Sequence, residues 1–264
     1  MSRETDLSDL AVDIAREAGD LARRRRDEGV SIAATKSTLA DIVTEADREV
    51  ERLIRDRLEV ERPGDGFLGE ESGAAAGSTG LTWVVDPIDG TVNYAYGIPG
   101  YAISIGVVEG APEPAAWTAL AGVVHNPATG ETFRAVKDGG AHLGGRRLAV
   151  NAEPADAGAL IATGFSYDPD ERAAQLAVLA RVLPMARDIR RMGAASLDLA
   201  AVAAGRVDAY YERGLWPWDM AAGGLLVEEA GGRFAGAGGA ALGRGLVIAA
   251  APRLFDALDA VLTS

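Results

Sequence analysis

The chain has 264 residues and no cysteine, so disulfide bonds, thiolate metal sites and thiol nucleophiles are excluded. It has only two histidines, His125 and His142, which show no metal-ligand spacing and have no serine in a nucleophile turn nearby. We interpret both as structural or surface residues, which disfavours a phosphohistidine mechanism and a Ser-His-Asp hydrolase. A P-loop lysine motif is also absent, and its absence argues against a nucleoside triphosphatase.

Long hydrophobic runs are lacking as well. The longest, such as residues 102–108 and 246–251, are far too short to span a bilayer, and residues 1–9 are polar and unlike a secretory signal. The net charge of -13 repels nucleic acid phosphates and anionic membranes. We therefore expect a cytoplasmic protein with neither a membrane nor a nucleic acid as its partner. Hydrophobic residues make up 48% of the chain, which allows a substantial core.

The first half of the chain, residues 1–145, has the pattern of helices followed by strands. Apolar residues at helical spacing end at Gly29 and predict a first amphipathic helix. Thr44 and Asp47 resemble the two ends of a capping box and predict the start of a second helix. Strands are predicted at 81–85, 101–108, 121–124 and 131–136. We expect two helices packed on an antiparallel sheet.

In the second half, residues 146–264, predicted strands alternate with helices. The strands are at 159–163, 188–192, 207–212 and 246–250, and the helices begin after Asp168, at Ala195, at Asp219 and after the last strand. This alternation favours an α/β arrangement. The fold class that we expect is a layered α+β and α/β sandwich (αβαβα). The two halves should pack as one compact catalytic unit, because no long linker separates them.

The strongest chemical signal is the segment DPIDGT at residues 86–91, directly after an apolar strand. Pro87 has no N–H to donate, so we expect it to end the strand and to leave Asp86 and Asp89 at the strand end. Carboxylates and a backbone carbonyl are the ligands that Mg²⁺ prefers. Gly90 and Thr91 add N–H groups and a hydroxyl that suit a phosphate oxygen. An ordinary Asp-Gly-Thr turn is the alternative interpretation.

Two further acidic segments are candidates for the same chemistry. Glu70 lies in the segment GEES at residues 69–72, for which a solvated acidic pair is the alternative. Asp219 follows the segment WPW at residues 216–218, and a simple helix N-cap is its alternative role. The chain has only four tryptophans, so two of them next to Asp219 suggest a wall that shields the acid from water.

Together, four segments resemble the inositol monophosphatase family: DIVTEAD (41–47), GEES (69–72), DPIDGTVN (86–93) and WDMAAG (218–223). The resemblance extends to residues 193–198, 203–212 and 229–232, so it covers essentially the whole chain in the expected order. It implies a magnesium-dependent phosphoric monoester hydrolase that acts on a small phosphorylated alcohol, in the first place inositol monophosphate. It also implies a homodimer and inhibition by lithium.

The resemblance implies a set of metal ligands. Glu70, Asp86 and the carbonyl of Ile88 would hold a first Mg²⁺. Asp86, Asp89 and Asp219 would hold a second, and a third, weaker ion would lie near Glu70.

It also implies catalytic and substrate-binding residues. Asp47 and Thr91 would form the hydrogen-bonded pair that orients and deprotonates the attacking water, with Glu70 as a further catalytic residue. Lys36 and Asp41 would lie in a loop that closes near the metals. The residues expected to bind substrate are Asp89, Gly90, Thr91, Gly193, Ala194, Ala195, Glu212 and Asp219.

Alternatives remain open within this class. A helix-capping role would explain Asp47 without catalysis. Relatives hydrolyse histidinol phosphate, fructose 1,6-bisphosphate or 3′-phosphoadenosine 5′-phosphate, although the residues VNY at 92–94 are closer to the inositol phosphatase pattern. Ala194 stands where the family often has Ser or Thr, and Ser196 stands where Ala is usual. A hydroxyl contact is therefore lost or moved, which leaves strict inositol selectivity in question.

A function of a different class is also open, because some bacterial relatives bind the transcription machinery. The run of four arginines at residues 23–26 could serve such a role. A solvated helix end that is favoured by the helix macrodipole is the alternative interpretation of this run.

Overall fold

The computed structural model describes residues 2–29, 32–35, 42–152 and 158–264. Helix α1 (Arg3–Glu28) begins after Ser2, whose side chain accepts a hydrogen bond from the Thr5 N–H, and it ends at Gly29 as predicted. A short antiparallel pair, β1 (Ile32–Thr35) and β2 (Ile42–Thr44), leads into helix α2 (Glu45–Glu61). Both helices bury an apolar face.

The first sheet has eight strands in the order β10-β9-β8-β7-β6-β5-β3-β4. They are β3 (Gly66–Gly69), β4 (Gly73–Ala75), β5 (Leu81–Asp89), β6 (Ala102–Glu109), β7 (Thr118–Asn126), β8 (Glu131–Val136), β9 (Gly140–Leu143) and β10 (Arg146–Arg147). The prediction of an antiparallel sheet holds except at one pair, because β3 runs parallel to β5. The hairpin from β3 to β4 reverses the chain once, and the connection to β5 reverses it again.

The second sheet has five strands in the order β12-β11-β13-β15-β14. Its strands and helices follow in the order β11 (Ala159–Thr163), α4 (Pro169–Val182), β12 (Ala186–Arg190), α5 (Ala195–Ala203), β13 (Ala209–Arg213), α6 (Pro217–Glu229), β14 (Arg233–Gly236), β15 (Leu246–Ala250) and α7 (Pro252–Thr263). Strand β11 is parallel to both β12 and β13, whereas β15 is antiparallel to both β13 and β14.

Three predicted boundaries in this half are wrong by about two residues, as is common at element ends. Strand β12 covers Ala186–Arg190 rather than 188–192, because it starts directly after a 3₁₀ turn at Leu183–Met185. Strand β13 starts at Ala209 rather than 207. Helix α6 starts at Pro217 rather than Asp219, since proline is well suited to the first helical position.

The elements stack in five layers, which confirms the expected αβαβα sandwich. Helices α1 and α2 cover one face of the first sheet, α5 and α6 lie between the two sheets, and α4 and α7 cover the outer face of the second sheet. Within the described residues, every helix is too short or too polar to span a bilayer.

Two glycines let helix α6 approach the first sheet closely. A Cβ atom on Gly106 would lie 2.6 Å from the Cβ of Ala221, and one on Gly122 would lie 2.8 Å from the carbonyl oxygen of Ala222. The Ser104 hydroxyl donates to the Trp218 carbonyl at 3.2 Å and ties the start of α6 to β6. The first turn of α6 is thereby held beside the end of β5, where Asp86 and Asp89 lie.

Candidate active site

The DPID segment forms a bulge in β5. The pairing of β5 with β6 is regular up to Asp86, slips by one residue, and resumes at Asp89. Within the bulge the Ile88 N–H donates to Asp86 Oδ1 at 3.1 Å. The prediction that Pro87 ends the strand is therefore wrong: the missing N–H produces a bulge, after which the strand continues to Asp89. The bulge places the carboxylates of Asp86 and Asp89 in the same pocket.

Asp219 joins these two carboxylates from the first turn of α6. Carboxylate oxygens of Asp86, Asp89 and Asp219 all lie within 4.8 Å of one another, and we call these three residues the acidic triad. The alternative that Asp219 is the N-cap is wrong, because the N-cap is Trp216 and Asp219 is the third residue of the helix, where its Oδ2 accepts a hydrogen bond from the Trp216 backbone N–H at 2.7 Å. One carboxylate thus serves the helix end and the triad together.

Burial and mutual repulsion raise the pKa values of the triad. Asp86 and Asp89 are buried, and burial is the main cause that raises the pKa of both. Repulsion from Glu70, Asp89 and Asp219 raises the pKa of Asp86 further. The pKa of Asp219 is also raised well above its usual value, by removal from bulk water and then by Asp89, although its side chain keeps some exposure to the pocket. Buried carboxylates at such spacing fit a hard divalent cation, which prefers oxygen ligands.

Asp89 has a second structural role at the start of α5. Its Oδ1 accepts from the Ala195 N–H at 3.2 Å, and its Oδ2 accepts from the Ser196 N–H at 2.7 Å and from the Ser196 hydroxyl at 2.5 Å. The N-cap residue Ala194 has no side chain that could cap the helix, and the Asp89 carboxylate fills that place. The Ser196 hydroxyl therefore donates to Asp89 and does not replace the substrate contact that a hydroxyl at position 194 would offer.

Asp47 and Thr91 lie together, as expected. The Thr91 hydroxyl oxygen is 3.3 Å from Asp47 Oδ1 and 3.1 Å from the Ile88 carbonyl oxygen. Asp47 is only 1% exposed, which is unusual for an acid whose sole purpose is to cap a helix. The capping partner Thr44 has its side chain outside the described residues.

A pocket of about 690 Å³ opens over the triad and contains most of the predicted site residues. Glu70 lines it without being part of the compact triad, and its N–H donates to the Val85 carbonyl at 3.2 Å. Gly90, in the left-handed conformation at φ 88°, starts the short helix α3 (Thr91–Tyr96) at the pocket floor. Lys36 and Asp41 lie outside the described residues.

The pocket wall also contains the residues expected to bind the alcohol, namely Gly193, Ala194, Ala195 and Glu212. Asn93 donates to the Met192 carbonyl at 2.8 Å and so links this turn to α3. Burial raises the pKa of Glu212 to about 7, although a hydrogen bond from Tyr210 opposes that rise. Arg191 also lines the wall and lowers the pKa of both Asp89 and Glu212.

The tryptophans flank Asp219 at the pocket. The rings of Trp216 and Trp218 stack with centroids 5.5 Å apart, and the guanidinium of Arg244 lies 3.7 Å over Trp216. Trp216 is 44% exposed, and that these rings exclude water from Asp219 stays a prediction.

Several residues of the site were not predicted from the sequence. They are Arg191, Asn93, Gly164, Tyr210 and Arg244. Asn93 lies inside the motif DPIDGTVN, so its position was the one available signal. The other residues depend on contacts between distant segments.

The described geometry defines a class of protein: a five-layer αβαβα enzyme fold with an all-carboxylate cluster suited to divalent metal. The profile of the inositol monophosphatase family matches residues 4–263. The chain belongs to this family, a family of phosphoric monoester hydrolases, and the predicted membership is confirmed.

Individual relatives agree over nearly their full length. An inositol-1-monophosphatase of Mycobacterium leprae is 45% identical over 274 residues, covering 96% of this chain and 92% of the relative. The Nus factor SuhB of Pseudomonas aeruginosa is 41% identical over 265 residues, covering 96% and 94%. The crystal structure of the extragenic suppressor protein SuhB from Bartonella henselae is 35% identical with a TM-score of 0.88, covering 98% of this chain and 99% of that one.

Proposed function

We propose that this chain hydrolyses inositol monophosphate to inositol and inorganic phosphate in a magnesium-dependent reaction. The observation that carries the proposal is one pocket that contains both the acidic triad and Thr91, whose hydroxyl is hydrogen-bonded to the buried Asp47. The name of the 45% identical relative from Mycobacterium leprae, an inositol-1-monophosphatase, supports the choice of substrate.

The metal ligands of the proposal are the triad, Glu70 and the Ile88 carbonyl. Glu70, Asp86 and Ile88 would hold one Mg²⁺ and the triad a second, with Asp86 shared, while a weaker third site would involve Glu70. Phosphate monoester hydrolysis is difficult because water is a weak nucleophile and the departing oxygen carries charge. Bound Mg²⁺ lowers the pKa of water and balances that charge. The acidic residues of the site carry the negative charge that such ions require.

The remaining roles belong to the chain's own side chains and backbone. Asp47 accepts the proton of the attacking water through the Thr91 hydroxyl, which lies between Asp47 and the bulge. Gly90 and Thr91 start helix α3, where N–H groups without a helical partner suit phosphate oxygens. The turn of residues 193–195 and Glu212 lie on the wall that would face the alcohol.

A substrate panel tests the proposal. Phosphate release is measured for inositol 1-phosphate, histidinol phosphate, fructose 1,6-bisphosphate and 3′-phosphoadenosine 5′-phosphate over a range of Mg²⁺ concentrations. We expect the highest kcat/KM for inositol 1-phosphate and no turnover after exhaustive chelation. A higher value for histidinol phosphate or fructose 1,6-bisphosphate would transfer the function to that alternative, and unchanged turnover without metal would contradict the proposal as a whole.

A role as a binding partner of the transcription machinery is the second candidate, because some of the relatives are named for a phosphatase activity and others are named as Nus factors. The 41% identical protein of Pseudomonas aeruginosa is named Nus factor SuhB. The arginine run ends α1, where Arg23 pairs with Asp20 and Arg25 pairs with Glu28 and Glu49, so part of its charge is already balanced. Pull-down of transcription proteins, lost on changing Arg23 and Arg24 to Glu with phosphatase activity intact, would establish this role.

Four further properties stay predictions. They are a homodimer, a cytoplasmic location, inhibition by lithium and the division into halves 1–145 and 146–264 within one catalytic unit. Light scattering and a lithium titration of the phosphatase activity test the first and third directly.

A further inference from the structure

Among the residues that the structure describes, Glu212 has a single side-chain donor, Tyr210. The two residues are separated by one position on β13, so their side chains lie on the same face of the sheet. The Tyr210 hydroxyl donates to Glu212 Oε2 at 2.5 Å, and the Tyr210 ring is completely buried in the core between the two sheets. No other side chain in the described parts of the chain donates a hydrogen bond to this carboxylate. A hydroxyl on a rigid, buried ring therefore fixes the position of one carboxylate oxygen.

Gly164 provides the space that the carboxylate occupies. Gly164 directly follows β11, which pairs in parallel with β13 so that Thr163 lies opposite Tyr211. A Cβ atom at position 164 would overlap both oxygens and the carboxyl carbon of Glu212. The backbone of Gly164 is not in the left-handed region, so an alanine there would be acceptable in conformation and would act only by displacing the carboxylate.

The surroundings of Glu212 do not hold it in place by charge alone. Three acids, Asp89, Asp198 and Asp219, repel it, whereas Arg191 attracts it. One Asp198 oxygen has no hydrogen-bond partner among the described residues. Removal of the Tyr210 hydroxyl would thus leave the carboxylate next to repulsive neighbours and free to turn away.

We infer that Tyr210 and Gly164 are positioning residues, which hold the Glu212 carboxylate as a fixed acceptor for hydroxyl groups of the substrate's alcohol. The hydroxyl of Tyr210 occupies Oε2, which leaves Oε1 for the substrate. The inference rests on the proposed phosphatase function and extends it. It predicts that the preference for a polyol phosphate over the phosphate of an alcohol without further hydroxyls depends on Tyr210 and Gly164.

The test compares two substrates with a matched pair of variants. Inositol 1-phosphate offers hydroxyls to Glu212, whereas p-nitrophenyl phosphate has none. For Tyr210→Phe we expect kcat/KM for inositol 1-phosphate to fall about 10-fold or more, mainly through KM, since one hydrogen bond to a charged group is lost. The value for p-nitrophenyl phosphate should stay within about twofold.

Tyr211→Phe is the control, because Tyr211 is the next residue, is also buried, and packs in the core on the opposite face of the sheet. The quantity compared is kcat/KM for inositol 1-phosphate divided by kcat/KM for p-nitrophenyl phosphate. We expect Tyr211→Phe to leave this ratio unchanged. Gly164→Ala should lower it, as Tyr210→Phe does. Equal loss on both substrates, or no loss on either, would overturn the inference.

Crystal structures of Tyr210→Phe and Gly164→Ala separate a failure of the inference from a failure of the proposed function. If the wild type does not hydrolyse inositol 1-phosphate, the proposed function fails, while the position of the Glu212 carboxylate can still be observed. We expect it to be displaced in both variants. A carboxylate that keeps its wild-type position in both would overturn the inference whatever the substrate is.

Discussion

At the scale of single residues, Asp47 distinguishes a catalytic site from a capped helix. Its carboxylate is 1% exposed and 3.3 Å from the Thr91 hydroxyl. Asp47→Asn keeps the size and some capping ability but cannot accept a proton. We expect kcat to fall by about 10²- to 10⁴-fold, the usual contribution of a general base, as measured by phosphate release at saturating Mg²⁺.

Glu45→Gln is the control for Asp47→Asn. Glu45 is another acid of the first turn of α2, and it is exposed. Its loss removes a favourable interaction with the helix dipole and no catalytic group, so activity should stay within about twofold of wild type. Full activity in Asp47→Asn would show that Asp47 is only a capping residue.

Glu212 gives a pH dependence with a definite sign. Its pKa in the folded chain is about 7, above the usual 4.5, so the folded chain binds this proton more tightly than the unfolded chain does. The contribution of Glu212 to the free energy of unfolding is therefore fully present below the usual pKa of 4.5, and it is lost as the pH rises to about 7. The loss is on the order of 2–3 kcal/mol by linkage, and the groups that face Glu212 (Tyr210, Arg191, Asp89, Asp198 and Asp219) share in it.

Glu212→Gln should remove this loss. In chelator, we expect its free energy of unfolding by urea to exceed that of wild type at about pH 8 and to approach it at about pH 5. Glu171→Gln, at an exposed glutamate that lines the same pocket, is the matched control and should show no such pH-dependent gain. A gain that is equal at both pH values would contradict the assigned cause.

At the scale of elements, α2 brings two buried carboxylates to the site from one face. Asp47 faces Thr91, and Glu51, one turn later, is 3% exposed and accepts the Glu71 N–H at 2.8 Å. Helix α2 therefore anchors the loop that carries Glu70, the predicted metal ligand next to Glu71.

We expect Glu51→Ala to weaken Mn²⁺ binding by about 10-fold, measured by calorimetry, as for other residues that orient metal ligands. Glu51→Gln should bind nearly as wild type does, because its amide oxygen can still accept the Glu71 N–H. If the two variants bind Mn²⁺ equally, the loop does not depend on this hydrogen bond.

Elements with strong local signals could be predicted, and those determined by tertiary contacts could not. Helix α4 has its cap, its first-turn proline and its acids within four residues, so its start after Asp168 was visible. Strands β3 and β4 are short and rich in glycine and alanine, so no alternation marked them. The bulge at Pro87 was missed because a missing N–H can end a strand or bend it, and only the pairing with β6 decides which.

At the scale of the whole molecule, the site exists because α6 lies between the two sheets. Asp86 and Asp89 come from the first sheet, Asp219 from the middle layer and Glu212 from the second sheet. Local sequence could suggest each acid but not their proximity, and the family resemblance supplied the combination. Gly164 lies outside the resembling segments, and Tyr210 lies inside one that gave no sign of its role, so their relation to Glu212 appeared only in three dimensions.

Metal should stabilise this assembly, because bound cations would relieve the mutual repulsion that raises the pKa values of the triad. We expect millimolar Mg²⁺ to raise the Tm of wild type over that in chelator, in line with ligand binding to the folded state alone. Asp219→Asn, which can retain the cap on Trp216, should lose most of this increase. An equal increase in both proteins would place the stabilising ion elsewhere.

The most direct measurement is the anomalous difference density of crystals soaked in Mn²⁺. If the three carboxylates form the metal site of a phosphatase, strong peaks must lie within coordination distance of Asp86, Asp89 and Asp219, with one also near Glu70. Well-occupied Mn²⁺ peaks elsewhere on the molecule, with no peak between these side chains, would contradict the account.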